Sequence, residues 1–153
     1  MFLVVAPGVV AGLVPWWLTS WDAGAGSPAV RILGWILIAA GVLVLLHAFA
    51  RFVVEGVGTP APVAPTRNLV VGGLYRYVRN PMYLAVGTTI VGEALVLARS
   101  VLFVWAAVFA VAVVAFVRGY EERTLRRRFG EEYERYRRAV PGWWPRRTPW
   151  DGR

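Results

Sequence analysis

Ile32-Leu33-Gly34-Trp35-Ile36-Leu37-Ile38-Ala39-Ala40-Gly41-Val42-Leu43-Val44-Leu45-Leu46-His47-Ala48-Phe49-Ala50 runs without a formal charge, and His47 is its only strongly polar residue. A hydrocarbon core of roughly 30 Å asks for about 20 helical residues and at least about 17. The stretch therefore reads as a transmembrane α-helix. Three other runs read the same way. Met1 to Trp21 and Val101 to Val117 carry no charge, and Met82 to Ala98 carries only Glu93. The expected fold class is all-α integral membrane, with four transmembrane helices and a C-terminal amphipathic cytoplasmic helix. The whole chain, 1–153, is expected to be a single membrane domain, with 1–55 as scaffold helices and the more specific signals in 56–145.

Composition supports this reading. The 153 residues are 58% hydrophobic, which is too apolar for an ordinary soluble domain. Met1–Leu18 lacks the basic start of a signal peptide, and Trp16, Trp17 and Trp21 form an aromatic belt, so a retained helix is expected. All 17 basic residues are arginine. Arg31 and Arg99 flank the loops after the first and third runs; the rest lie at Arg51, between Arg67 and Arg79, or from Arg118 onward. By the positive-inside rule both termini and the Arg51–Arg79 loop face the cytoplasm. Arginine without lysine points to a prokaryotic cytoplasmic membrane. The net charge of +8 suits membrane lipids with anionic headgroups, and nucleic acid is not expected as a partner. With no cysteine and one histidine, no disulfide and no metal site are expected.

Between the second and third runs, Gly56–Thr66 is rich in proline and glycine and is expected to be extended and partly stiff. Gly72-Gly73 signals a turn. Asn80-Pro81 marks a helix start, with Asn80 expected to cap exposed N–H groups through its side chain. Arginines and tyrosines crowd Gly72–Tyr83, at a lipid boundary where a pure anchor needs few polar groups. Beyond Arg118, Leu125, Phe129, Tyr133, Tyr136 and Val140 recur at helical spacing and form one apolar stripe. That stripe should lie on the membrane surface or cover the cytoplasmic helix ends. The pairs Glu122–Arg126, Glu131–Arg135 and Glu134–Arg138 should support the helix, which Gly130 should break in two. Pro141–Pro145 should be non-helical.

Arg79-Asn80-Pro81-Met82-Tyr83, preceded by Gly73-Leu74-Tyr75, resembles the R-H-P-x-Y motif of the isoprenylcysteine carboxyl methyltransferase family. Glu121-Glu122, Leu125, Phe129-Gly130, Tyr133, Tyr136 and Val140-Pro141 resemble that family's C-terminal signature. The wider superfamily includes phospholipid methyltransferases. The resemblance covers about 56–145. It implies an integral membrane enzyme that uses S-adenosyl-L-methionine, held between the two motifs. It implies cofactor-binding roles for Asn68, Leu69, Val70, Tyr75, Asn80, Pro81, Met82, Tyr83 and Glu121. Arg79 is the candidate catalytic residue, and Arg118 and Glu122 are candidates for the substrate. The acceptor is expected to be a lipid-like or otherwise hydrophobic small molecule. Two departures stand out. Asn80 replaces the family histidine and cannot titrate. Val117 stands where members acting on prenylcysteine carboxylates carry an arginine.

These residue types suit methyl transfer. The cofactor's methyl is already activated on a sulfonium, so positioning and desolvation suffice. A carboxylate can hold the hydroxyls or ammonium, and tyrosine rings can face the cationic sulfur. Glu93 lies within a span and is expected to pair structurally near Arg99; His47 is expected to sit between helices or to act as a base. Two other functions remain open on the residues alone: a non-enzymatic, anionic-lipid-binding scaffold, and a membrane reductase, which would need a nicotinamide site; the chain carries no dinucleotide fingerprint, though that class need not show one.

Overall fold

The computed structural model describes residues 2–56 and 67–152. The Gly56–Thr66 loop expected from composition lies almost wholly outside the described residues. Helix α1 is built of α-helical Phe2–Gly8, π-helical Val9–Leu13 and α-helical Val14–Thr19. Helix α2 spans Pro28–Gly56, α3 Pro81–Leu97 and α4 Ser100–Phe116. A π-helical turn, Val117–Glu121, joins α4 directly to α5, Glu122–Ala139. A single 3-10 turn, Gly73–Arg76, precedes α3, and no strand occurs among the described residues.

The all-helical expectation holds. Two helices, Pro28–Glu55 and Ser100–Ala139, are long and apolar enough to cross a bilayer, while Val5–Thr19 and Pro81–Leu97 are apolar but shorter. At about 1.5 Å per residue, the 17 residues of α3 reach only about 25 Å. Large apolar side chains face outward along the long helices: Leu43 is 67% exposed and Val111 is 71% exposed. Faces of this kind belong in lipid rather than water.

Helices α2 and α3 touch backbone to backbone. A Cβ built on Gly34 would lie 2.7 Å from the Gly92 carbonyl oxygen, and one on Gly92 would lie 2.7 Å from that of Gly34. Gly41 meets Thr89 Oγ1 just as closely. Where lipid removes the hydrophobic drive between helices, small residues allow this close packing. The π segment of α1 is tied to α4, because Trp105 Nε1 donates to the Val10 carbonyl at 2.9 Å. At the far end of α3, Ala98 adopts a left-handed conformation (φ 51°). That cap turns Arg99 away, and its Nε donates to the Asp22 carbonyl at 2.9 Å. The expected pairing of Glu93 near Arg99 is therefore not made. Glu93 is buried, and its Oε2 has no hydrogen-bond partner among the described residues.

Gly130 breaks α5 as expected, with φ 51° and ψ −124°. The bend brings Arg126 and Glu134 across its inner angle at 2.6 Å, so Glu134 pairs with Arg126 and Arg137 (3.5 Å) rather than with Arg138. Glu122–Arg126 does form, loosely, at 3.9 Å. Glu131 and Arg135 both stay exposed. Beyond the bend, Tyr133, Tyr136 and Val140 fold back to bury themselves against Ala48, Val70 and Tyr75. The apolar stripe therefore covers the helix ends, the second of the two placements expected for it.

Candidate functional site

Three pieces of chain meet at the covered end. The first is the end of α2. Glu55 accepts from the Gly72 N–H at 2.8 Å, and its backbone carbonyl accepts from Asn68 Nδ2 at 3.3 Å. Glu55 thereby docks the segment before the 3-10 turn onto α2. Gly73, at φ 55°, takes a conformation that suits glycine, and a Cβ there would meet His47 Nε2 and Arg51 Cγ at 2.9 Å. The second piece is Tyr75–Tyr83, and the third is the run from Val117 through α5.

These pieces enclose a cavity of about 90 Å³, lined by Phe52, Leu69, Val70, Tyr75, Arg79, Asn80, Val117, Glu121, Glu122, Leu125, Tyr133 and Tyr136. At its wall Tyr83 donates to Glu121 Oε2 at 2.9 Å. Arg79 Nη1 reaches both Glu122 Oε1 at 2.9 Å and the Tyr133 hydroxyl at 3.0 Å, while its Nε donates to the Val140 carbonyl at 2.9 Å. Glu122 also faces Arg126 and Arg137, at 3.9 and 3.6 Å. Arg79 is thus engaged by Glu122, whereas Glu121 is held by the Tyr83 hydroxyl and makes no ion pair among the described residues. Burial raises the Glu121 carboxyl above its usual range and Glu122 adds to that, whereas the Tyr83 hydrogen bond and Arg79 oppose it. Burial likewise pushes the Tyr75, Tyr133 and Tyr136 phenols up, so all three are neutral at pH 7.

Tyr136 donates to the Tyr75 carbonyl at 2.6 Å inside this core. Tyr136→Phe would strand that carbonyl without a partner. The expected cost is about 1–3 kcal/mol, seen as a lower melting temperature of the purified protein. An unchanged melt would show the bond to be dispensable.

Leu69, Val70, Tyr75, Arg79, Asn80, Glu121 and Glu122 all line the cavity, and Tyr83 joins it through Glu121. Pro81 is fully buried and not part of the lining, and Met82 packs against the adjoining core. Asn68 is exposed and bound to Glu55, and Arg118 is exposed and outside the lining. His47 is exposed beside Gly73, also outside it. Asn80 does occupy the N-cap of α3, with Pro81 at the first helical position, but its side chain caps nothing. Its Nδ2 donates instead to the Gly142 carbonyl at 3.1 Å, because the tail after α5 runs past it and supplies an acceptor.

A family model described as phospholipid methyltransferase matches residues 29–132, well over half of the chain. The chain belongs to the phospholipid methyltransferase family. No curated protein and no solved structure matches it. Membership makes it an integral membrane protein of a methyltransferase family whose substrates are lipid-like. The match runs from the start of α2 to just past the Gly130 bend, so it takes in most of the cavity wall.

Sequence reading alone missed Phe52, Leu125, Tyr133 and Tyr136 as cavity residues and missed Glu55 altogether. Phe52 lies in what reads as plain scaffold, and the other three read as a packing stripe. The π-helical turn was also missed. It places Val117 and Glu121 together on the cavity wall, and such turns often mark functional sites.

Proposed function

We propose that this chain is an S-adenosyl-L-methionine-dependent methyltransferase acting on a lipid-like acceptor at the cytoplasmic face of the membrane, with both termini on that side. The observation that carries the reading is the buried Glu121 carboxylate, held by Tyr83 at a cavity whose walls come from both motif segments. The donor set suits the cofactor. Glu121 offers an acceptor for ribose hydroxyls or the ammonium group, and neutral phenols supply ring faces for a sulfonium. The cavity is smaller than the roughly 300–1,000 Å³ typical of ligand pockets. Side chains at its wall, Leu125 and Phe52 among them, would therefore shift on binding. The bound cofactor would supply the activated methyl group. The chain's part would be to hold it, exclude water and aim the acceptor.

An amine nitrogen is favoured over a carboxylate as the acceptor atom. Val117, 3% exposed, presents an apolar wall where an arginine would be needed to hold a carboxylate. Arg79, the only cation among the described lining residues, is already engaged by Glu122. Within this reading Arg79 is the candidate catalytic group only through the shape it imposes, since three of its contacts are internal.

The test is calorimetric titration of the detergent-purified full chain with S-adenosylhomocysteine, followed by labelled-methyl transfer to lipids with amine or carboxylate headgroups. Micromolar binding and transfer to the amine are expected. Binding should strengthen as pH rises through the raised pKa of Glu121, because only the ionised carboxylate attracts the cofactor's ammonium. Absence of binding to folded protein would overturn the reading in favour of a lipid-binding scaffold.

A further inference from the structure

The chain beyond Ala139 lies outside the family match, yet a series of hydrogen bonds ties it to the Arg76–Asn80 segment. The Arg79 N–H donates to the Pro141 carbonyl at 2.9 Å, and the Arg146 N–H donates to the Tyr77 carbonyl at 2.9 Å. Arg79 Nε and Asn80 Nδ2 donate to the Val140 and Gly142 carbonyls. The last tie is reciprocal. The Trp150 N–H donates to the Arg76 carbonyl at 3.0 Å, and Arg76 Nε donates to the Trp150 carbonyl at 2.6 Å. The Trp150 ring rests on Tyr136 with centroids 5.4 Å apart, and Tyr136 holds the Tyr75 carbonyl. Gly142 sits so close that a Cβ on it would lie 3.2 Å from Arg79 Nη2.

We propose that Val140–Trp150 is a strap that positions Arg79 and Asn80 at the cavity, with the Arg76–Trp150 pair as its clasp. Arg76 is then a positioning residue: it faces the tail, is not part of the cavity lining, and acts through the strap. This rests on the cofactor reading for its effect on binding but not for its effect on the backbone. A loose strap removes the Val140 acceptor of Arg79, which then keeps only Glu122 and Tyr133, and the Gly142 acceptor of Asn80, so both groups hold the cavity geometry less firmly.

The test compares the full-length wild type with Arg76→Ala and Arg76→Lys in the same detergent. Two quantities are read: amide hydrogen exchange of 76–80, and the dissociation constant for S-adenosylhomocysteine. Arg76→Ala is expected to speed exchange at the Arg79 amide and to weaken binding about tenfold, the scale of losing a charge-assisted hydrogen bond. Arg76→Lys, which keeps a charged donor, is expected to recover part of both. Unchanged exchange in folded Arg76→Ala would overturn the strap. Faster exchange with unchanged affinity would overturn its positioning role and leave it as a mere tether. If the wild type itself binds no S-adenosylhomocysteine, the cofactor reading fails, while the exchange measurement still decides the strap.

Discussion

Glu121→Gln is expected to weaken S-adenosylhomocysteine binding by about ten- to a hundred-fold, the range given by losing one hydrogen bond to a charged group. The substitution is nearly isosteric. Glutamine's carbonyl can still accept from Tyr83, so the wall of the cavity keeps its shape. What disappears is the charge. Stability should move the other way. Burial raises the Glu121 carboxyl, so its favourable share of folding is present at low pH and is lost as pH rises through the raised pKa. Above that pKa the wild type carries an ionised, buried carboxylate and Glu121→Gln does not. Above that pKa the variant should therefore melt no lower than the wild type while binding far less, and its binding should no longer strengthen with pH. A variant that binds as the wild type does would remove Glu121 from the site.

The second large effect is on the scaffold. Gly92→Ala is expected to destabilise the protein by about 1–3 kcal/mol, the usual cost of overpacking a tight contact. The added methyl would lie 2.7 Å from the Gly34 carbonyl oxygen and 3.0 Å from the Ile38 nitrogen. Both are backbone atoms, so relief requires α2 and α3 to move apart. Gly87 on the same helix is the control, because its Cβ would meet only the Phe109 ring, at 3.8 Å. Alanine there gains helix propensity at no steric cost, so Gly87→Ala should be neutral or stabilising. Thermal melts of both variants in detergent make the comparison. Equal melting temperatures would show that the close contact carries no energy.

Much of the scaffold was legible because lipid demands length and apolarity, and α2 and α4 declare both in their composition. Gly130 was legible as a break, and Asn80-Pro81 as a helix start. What Asn80 does with its amide was not legible, because its acceptor, Gly142, is remote in sequence and belongs to an irregular tail. The same holds for Glu55, whose partner at Gly72 is a backbone N–H with no side-chain signature. The Glu134 pairing was misread because the bend at Gly130 brings Arg126, from the preceding piece of the helix, within 2.6 Å of it. A π turn has no compositional mark, although the i, i+4 spacing of Val117 and Glu121 already puts them on one helix face. The motif residues were found because two short patterns occur together; the pocket itself depends on how the aromatic stripe folds back over them.

The rod from Ser100 to Glu121 stays helical throughout, with no slack between the apolar stretch and the acidic pair. The height of Glu121 above the lipid is therefore geared to how that stretch settles in the hydrocarbon. In a thicker or thinner bilayer the rod must tilt or the lipid must deform. A change in membrane thickness is thereby expected to reach the carboxylate as a change of tilt or depth, delivered without any ligand.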